Sequence, residues 1–391
     1  MAYKFNILFV SNTDPEEGAP HHAMAGIWLA SRGWPVHLLT AGCANRLFIN
    51  TPLGRIPASG IPKQVGWLGK IGWQLHMFWR ILQVRFKGQT DVYYIEGSPV
   101  TPVALPALLF VPSRKIIYHT QDYLEPARYW LRAAIEKAFA RRAGLVICNE
   151  PARARFMASH YSLSQLPMVV RTTLPAAWPT PDRDPAIRKD LLSSLGLEDL
   201  PKWKLVLHTG AYSEERCSDA LLRALACLPH DYVVVFIGVV PNSHAEQLTR
   251  NAGQNLGLHK RIIFVNRMPF NEILRIAASC DVGILLYPDD TLGDFFAAPG
   301  KLTEYIGCGI PIIASHFPGL ELTILKYDLG KVCDPQDPSS IAEALQLLGA
   351  RNKQRQDSER VRLKNIAKTE LSYDSMAGKI ERYLLSLGHD E

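Results

Sequence analysis

The sequence predicts an α/β protein built from two doubly wound parallel sheets. Three observations predict it. Short β-branched runs alternate with helical patterns through residues 5–150, a proline-rich stretch interrupts them, and the alternation restarts at residue 204. Parallel neighbours need a crossover long enough to hold a helix, so strand–helix alternation marks an open parallel sheet. At 391 residues the chain exceeds one core and suits two domains of roughly 150–200 residues.

In the first half FNILFV (5–10), VHLLT (36–40), DVYYIE (91–96), KIIYHT (115–120) and GLVICNE (144–150) read as buried strands. Helical stretches near 20–32, 68–86, 100–111 and 125–143 separate them. The segment TTLPAAWPTPDRDP carries four prolines and no convincing strand, which marks a linker, followed by a short helix near 185–195. In the second half KLVLHTG, YVVVFIG, RIIFVN, DVGILLY and PIIAS read as strands. The intervening helices fall at 217–228, 243–256, 270–279 and from Pro299, and helical patterns at 337–349 and 352–388 close the chain. The expected division is 1–171, a linker 172–202, 203–370, and a terminal helix in 371–391 that packs back on the first domain. Two Rossmann-like sheets of this kind are expected to face a cleft at the carboxyl ends of their strands, where ligands bind.

The balance of 47% hydrophobic and 20% charged residues is that of a globular protein. Seven scattered cysteines form no CxxC pair, which excludes a disulfide frame or zinc module and reads as reduced thiols in the cytoplasm. The N-terminal apolar run is too short for a signal peptide, and no stretch reaches the roughly 20 apolar residues of a membrane span. Net charge is +6, but residues 1–171 hold 19 Lys/Arg against 9 Asp/Glu, so +10, and the rest therefore carries −4. A basic first half favours anionic partners. No base-reading module or Gly-aromatic RNA motif is present, so nucleic acid is set aside and the anionic inner face of a membrane is the expected partner.

The most informative stretch is AAPGKLTEYIGCGIPIIAS (297–315). Pro299 suits the first helical position, since its missing N–H has no intrahelical partner there. The N–H groups of Gly300, Lys301 and Leu302 then point out of the helix N-terminus towards phosphate, and Lys301 adds a full charge. Glu304 lies about one turn on, where a carboxylate accepts hydrogen bonds from a ribose diol. Gly307 and Gly309 end the helix and permit a close approach to the next strand. A capped helix with solvated Lys and Glu is the plain alternative for such a string; its setting between two strands sets it apart.

That setting resembles the retaining glycosyltransferases of family 4, which have the GT-B fold and use nucleotide-sugars. PGKLTEYIGCGIPIIAS is similar to the family's P-x-K-L-x-E-Y-x-x-x-G-x-P-[VI]-[VI] signature, LGKVCDPQDPSSIAEAL (329–345) to its G-x-x-V-x-P-x-D segment, and HTGAYSEERCSDALLRAL (208–225) to its strand–Gly–loop–[RK]G–helix element. The resemblance implies that Arg216, followed here by Cys217 in place of glycine, binds the donor pyrophosphate with Lys301 and Gly300. It implies Glu304 on the ribose, and Arg267 and Met268 at the nucleobase. Two departures stand out: Ala211 replaces a companion arginine, and Phe296 replaces a second, sugar-contacting Glu. Asp289, Asp290 and Asp294 in the adjoining loop fit either sugar contacts or a solvated acidic loop. Gly18 matches one of the family's paired glycines near the donor phosphate, and His21 and His22 after it fit a helix start or the cleft wall.

In IIYHTQDYLEP (116–126), His119, Gln121 and Asp122 follow a strand and stand at its carboxyl edge. The resemblance puts a His and an acid here, so Asp122 and His119 are the expected catalytic contacts; both His119 and Gln121 fit the family's His, and Asp122 also fits a helix cap. The resemblance further implies transfer with retention, no metal and no cofactor beyond a nucleotide-sugar substrate, UDP- or GDP-linked. The helix pattern WLGKIGWQLHMFWRILQVRFK (67–87) interleaves aromatics with Lys70, Arg80, Arg85 and Lys87, which suits a membrane interface or packing on the sheet. A glycan or polyprenyl/lipid-linked acceptor at a peripheral membrane position is the expectation, with cell-surface polysaccharide or glycolipid synthesis as the setting. Phe296 and Ala211 keep a catalytically silent nucleotide-binding scaffold as the alternative.

Overall fold

The fold follows from runs whose side chains are buried on both faces. Ile7–Ser11, Val92–Glu96 and Ile116–Thr120 are buried at every position, the pattern of central parallel strands. The computed structural model describes residues 5–12, 20–41, 47–61, 67–122, 129–198, 200–210 and 213–388. The chain forms two compact units, Met1–Trp178 with Ser372–Glu391, and Pro179–Leu371.

The first unit holds β1 (Ile7–Ser11), β2 (Val36–Ala41), β3 (Phe48–Thr51), β4 (Gly54–Ile61), β5 (Val92–Glu96), β6 (Ile116–Thr120), β7 (Leu145–Cys148) and β8 (Met168–Val169). Their order is β3-β4-β2-β1-β5-β6-β7-β8, so the order reverses between β1 and β5. All pairs are parallel except the β3–β4 hairpin, which sequence reading missed. Thr51 Oγ1 closes its turn, accepting from Leu53 N–H at 3.2 Å and donating to the Gly54 carbonyl at 2.9 Å. Pro57 is tolerated because β4 pairs with β2 only from Ala58 onward. The helix Pro151–Tyr161 was also missed; Glu150 caps it, accepting the Arg153 N–H at 2.6 Å.

The second unit holds β9 (Lys204–Thr209), β10 (Tyr232–Val239), β11 (Ile262–Asn266), β12 (Val282–Leu285), β13 (Ile312–Ser315) and β14 (Gly330–Cys333), all parallel, in the order β11-β10-β9-β12-β13-β14. Its order reverses between β9 and β12, and the carboxyl ends of those strands form the switch point where ligands bind.

The expected linker 172–202 divides at Trp178/Pro179, and its second part is anchored in the second unit. Arg183 and Arg188 each reach Asp281 at 2.8 Å, and Asp281 also accepts the Leu205 N–H at 2.8 Å. The expected helix 352–388 is two helices, Lys353–Thr369 and Asp374–Ser386. The break lies where the chain returns to the first unit, and the last helix docks there through Trp28 Nε1–Asp374 at 2.7 Å and Trp34 Nε1–Glu381 at 3.0 Å. Among the described residues no helix is long and apolar enough to cross a membrane.

Candidate active site

The helix Lys301–Gly307 begins two residues later than expected, with Gly300 as its cap. Leu302 N–H is taken by the Pro299 carbonyl at 3.2 Å, which removes it from the expected set of outward donors. The helix is locked to the sheet by Tyr305. Its ring lies over Gly283 of β12, where an added Cβ would approach within 2.3 Å, and its hydroxyl bonds Thr209 Oγ1 of β9 at 2.7 Å. Gly309 turns the chain at φ +76°, and the close approach it permits is to Arg360 of the helix Lys353–Thr369, not to the next strand.

This lock places Lys301 over the switch point. Its Nζ donates to the Thr209 carbonyl at 2.6 Å, and it faces Gly210, which holds φ +114°. Burial first, then the nearby Arg216 charge, pull the Lys301 ammonium down to about 8, against an opposing pull from Glu304. His208 beneath is buried and pulled down to about 3 by burial, with Lys301 and Arg216 adding to it, so it is neutral. Arg216 arrives on the short turn Glu214–Arg216; its guanidinium lies 4.3 Å from the Tyr287 ring centroid and 3.9 Å from Asp294 Oδ1. Cys217 then sits at φ +47°, the left-handed region, which accounts for the glycine of the family pattern and costs a cysteine about 1–2 kcal/mol. Glu304 is buried at 6% exposure beside Lys301. Arg216, Lys301, Gly300, Glu304 and Asp294 are thus gathered around one sheet edge, two cations and two carboxylates suited to a phosphate-bearing polyol.

The other expected residues stand differently. Asp294 lies within the helix Leu292–Phe295, which Thr291 caps: Thr291 Oγ1 accepts the Asp294 N–H at 3.0 Å and donates to Asp294 Oδ2 at 2.7 Å. Phe296 packs edge-on to Phe295 at 5.0 Å, an aromatic in place of an acid. Arg267 and Met268 follow β11; the Arg267 N–H bonds the Val239 carbonyl at 3.3 Å while its side chain is exposed. Asp289 and Asp290 are exposed. Gly18 and Ala211 lie outside the described residues. Among the described residues no group of three or more His, Cys, Asp or Glu is arranged to hold a metal.

In the first unit Asp122 is exposed and its carbonyl accepts from Thr120 Oγ1 at 2.9 Å. The helix Trp130–Arg142 has Tyr129 at its cap position, and residues 123–128 between it and Asp122 lie outside the described residues. His119 is 3% exposed, its Nδ1 2.9 Å from the Tyr94 hydroxyl, and burial pulls it to about 3. Sequence reading missed Glu96, Tyr287 and Tyr305. Glu96 left a signal as an acid closing an otherwise apolar strand, and Tyr305 is the tyrosine of the P-x-K-L-x-E-Y string, though its partner Thr209 left none.

Residues 198–369 match the family model described as glycosyl transferases group 1. That match falls within the second unit. A GDP-mannose-dependent alpha-(1-6)-phosphatidylinositol monomannoside mannosyltransferase of Mycolicibacterium smegmatis is 25% identical over 272 residues, 67% of this chain and 68% of that one. A D-inositol 3-phosphate glycosyltransferase of Mycolicibacterium gilvum is 25% identical over 218 residues, 55% of this chain and 46% of its own length. Sucrose-phosphate synthase of Thermosynechococcus elongatus superposes with a TM-score of 0.74 at 19% identity, covering 98% of this chain and all (100%) of that one. Anabaena HepE in complex with UDP-glucose gives 0.74 at 18% identity, with the same coverage of 98% and 100%. The fold of this glycosyltransferase is therefore GT-B.

Proposed function

We propose that this glycosyltransferase moves a hexose from a nucleoside-diphosphate sugar to a lipid-linked or glycan acceptor, with retention, in the synthesis of a cell-surface polysaccharide or glycolipid. The proximity of Arg216 to Lys301, which faces Gly210 at the end of β9, carries this reading. Two cations there neutralise a diphosphate, Glu304 takes the ribose hydroxyls, and the backbone at Arg267 and Met268 borders the base. The sugar–phosphate bond breaks while the acceptor oxygen bonds the same face of the anomeric carbon, and the acceptor's proton passes to the leaving phosphate. Arg216 and Lys301 stabilise the charge that builds on that phosphate. HepE was crystallised with UDP-glucose and the M. smegmatis relative is named for GDP-mannose, which supports testing both bases. A thermal-shift titration with UDP, GDP and ADP decides the donor class; no stabilisation by any of them contradicts the reading.

Because burial and Arg216 bring the Lys301 ammonium down to about 8, a bound diphosphate raises it. Binding then takes up a fraction of a proton near pH 8, and affinity weakens as pH rises past that value. Calorimetry in two buffers of different ionisation enthalpy measures the uptake; proton release or a flat pH profile refutes it.

An acceptor at a membrane is supported by the helix Trp67–Phe86. It buries Met77 and Ile81 in the core but exposes Ile71, Leu75, Trp79 and Phe86, beside exposed Leu109 and Phe110 of the adjoining helix. With Arg80 on the same helix, this surface suits anionic lipid. Co-sedimentation with phosphatidylglycerol vesicles is expected to drop several-fold in Trp79→Ser/Arg80→Glu; equal sedimentation of wild type and variant counts against the contact.

A further inference from the structure

The first unit buries a polar cluster that the donor site does not use. Glu96 ends β5 beside His119 of β6 and is 1% exposed. Gln121 donates its side-chain N–H groups to Glu96 Oε1 and to the His21 carbonyl at 3.0 Å. The Gln121 carbonyl in turn accepts from Asn149 Nδ2 at 2.8 Å and from Arg153. One glutamine thus ties the ends of β5 and β6, the β7 edge and the turn Pro20–Ala23 together, and Glu96 is the acceptor at its centre. His119 Nδ1 lies 2.9 Å from the Tyr94 hydroxyl and 3.9 Å from Glu96 Oε1. Among the described residues Glu96 Oε2, His119 Nε2 and the Tyr373 hydroxyl are buried without a partner.

Among the described residues an ionised carboxylate in this place has a single side-chain amide donor, and the one basic group within ion-pair reach is the imidazole. Among the described residues the groups around it are Tyr94 on its own strand, His119 of β6, Gln121 just past that strand and Tyr373 from the C-terminal segment, with His22 acting on His119; none is a lysine or arginine. Burying a charge with so little compensation is costly, whereas a carboxylic acid meets the same glutamine and keeps a proton for Oε2. Burial raises the Glu96 carboxyl well above its ordinary range, which agrees with the geometry.

We propose that Glu96 is a positioning residue for glycosyl transfer, an uncharged carboxylic acid that fixes Gln121 and the His21 turn and leaves the His119 imidazole neutral. This rests on the chain turning over a nucleotide-sugar. The test compares Glu96→Gln and Glu96→Ala in the full chain, with UDP-glucose and GDP-mannose as donors and circular dichroism as a check on folding. Glutamine copies the shape and neutrality of the acid, so Glu96→Gln is expected within about 3-fold of wild-type kcat, with the pH profile unchanged. Glu96→Ala is expected to lose about 10-fold or more in kcat at unchanged donor KM. A loss of 10²-fold or more in Glu96→Gln, the size expected for removing an ionised general base, overturns the proposal, as does wild-type kcat in Glu96→Ala. Should wild type turn over neither donor, the functional reading fails by itself. The carboxyl ¹³C shift of Glu96 then still decides: a protonated carboxyl at pH 7 supports the inference and an ionised one ends it. The same measurement decides if Glu96→Ala fails to fold.

Discussion

Arg216→Ala and Lys301→Ala each lower donor turnover by about 10²–10³, the cost of removing one fixed charge from a developing oxyanion. The two differ in detail. Lys301 is held by the Thr209 carbonyl and sits partly buried, so its ammonium needs no reorganisation to meet a phosphate. Arg216 is braced by the Tyr287 ring and Asp294, which fixes the plane of the guanidinium. Lys301→Arg is expected to recover little, because the longer fork meets the Gly210 turn at a distance set for an ammonium. Steady-state kinetics with the donor identified by thermal shift provides the test. Full activity in both alanine variants sinks the phosphate assignment, while loss in one alone confines the assignment to that cation.

Asp281→Ala destabilises the second unit by about 3–5 kcal/mol, because it strips the partner from charges held away from solvent. Its carboxylate receives Arg183, Arg188 and the Leu205 N–H, with Arg360 at 4.0 Å. It therefore fastens the start of the second unit to β9 and to the helix Lys353–Thr369. At about 2–4 °C per kcal/mol for a unit of this size, the melting temperature falls by roughly 6–20 °C. Calorimetry measures it; a change under 2 °C shows that the arginines find other partners. Asp281→Asn, which keeps the Leu205 acceptor, is expected to fall between.

The fold was legible because its signals are local. Ile7–Ser11 and Ile116–Thr120 announce themselves as continuous apolar runs, and the Gly–Lys start and Gly–Ile–Pro stop of the helix Lys301–Gly307 lie within one short string. The hairpin β3–β4 did not show, since Pro57 interrupts the strand signal within β4 and only the pairing with β3 makes it a strand. The cation pair of the candidate site was legible only through its resemblance to a known pattern. The surroundings that tune it were not: Tyr305 meets Thr209 across 96 residues, and Glu96 meets Gln121 across 25. Burial of a polar group is satisfied by whatever the fold brings to it, and that partner has no fixed spacing along the chain.

The helix Asp374–Ser386 gives this protein an order of assembly. Its partners Trp28 and Trp34 leave the ribosome early and wait for Asp374 and Glu381 until the whole of Pro179–Leu371 has been made. At roughly 5–20 residues per second, the 346 residues from Trp28 to Asp374 make that wait about 17–70 s. The second unit, contiguous in the chain, is free to close in the meantime. The half that begins synthesis is therefore the half that finishes folding last, and during the interval its indole face depends on chaperones or on its own collapse for cover.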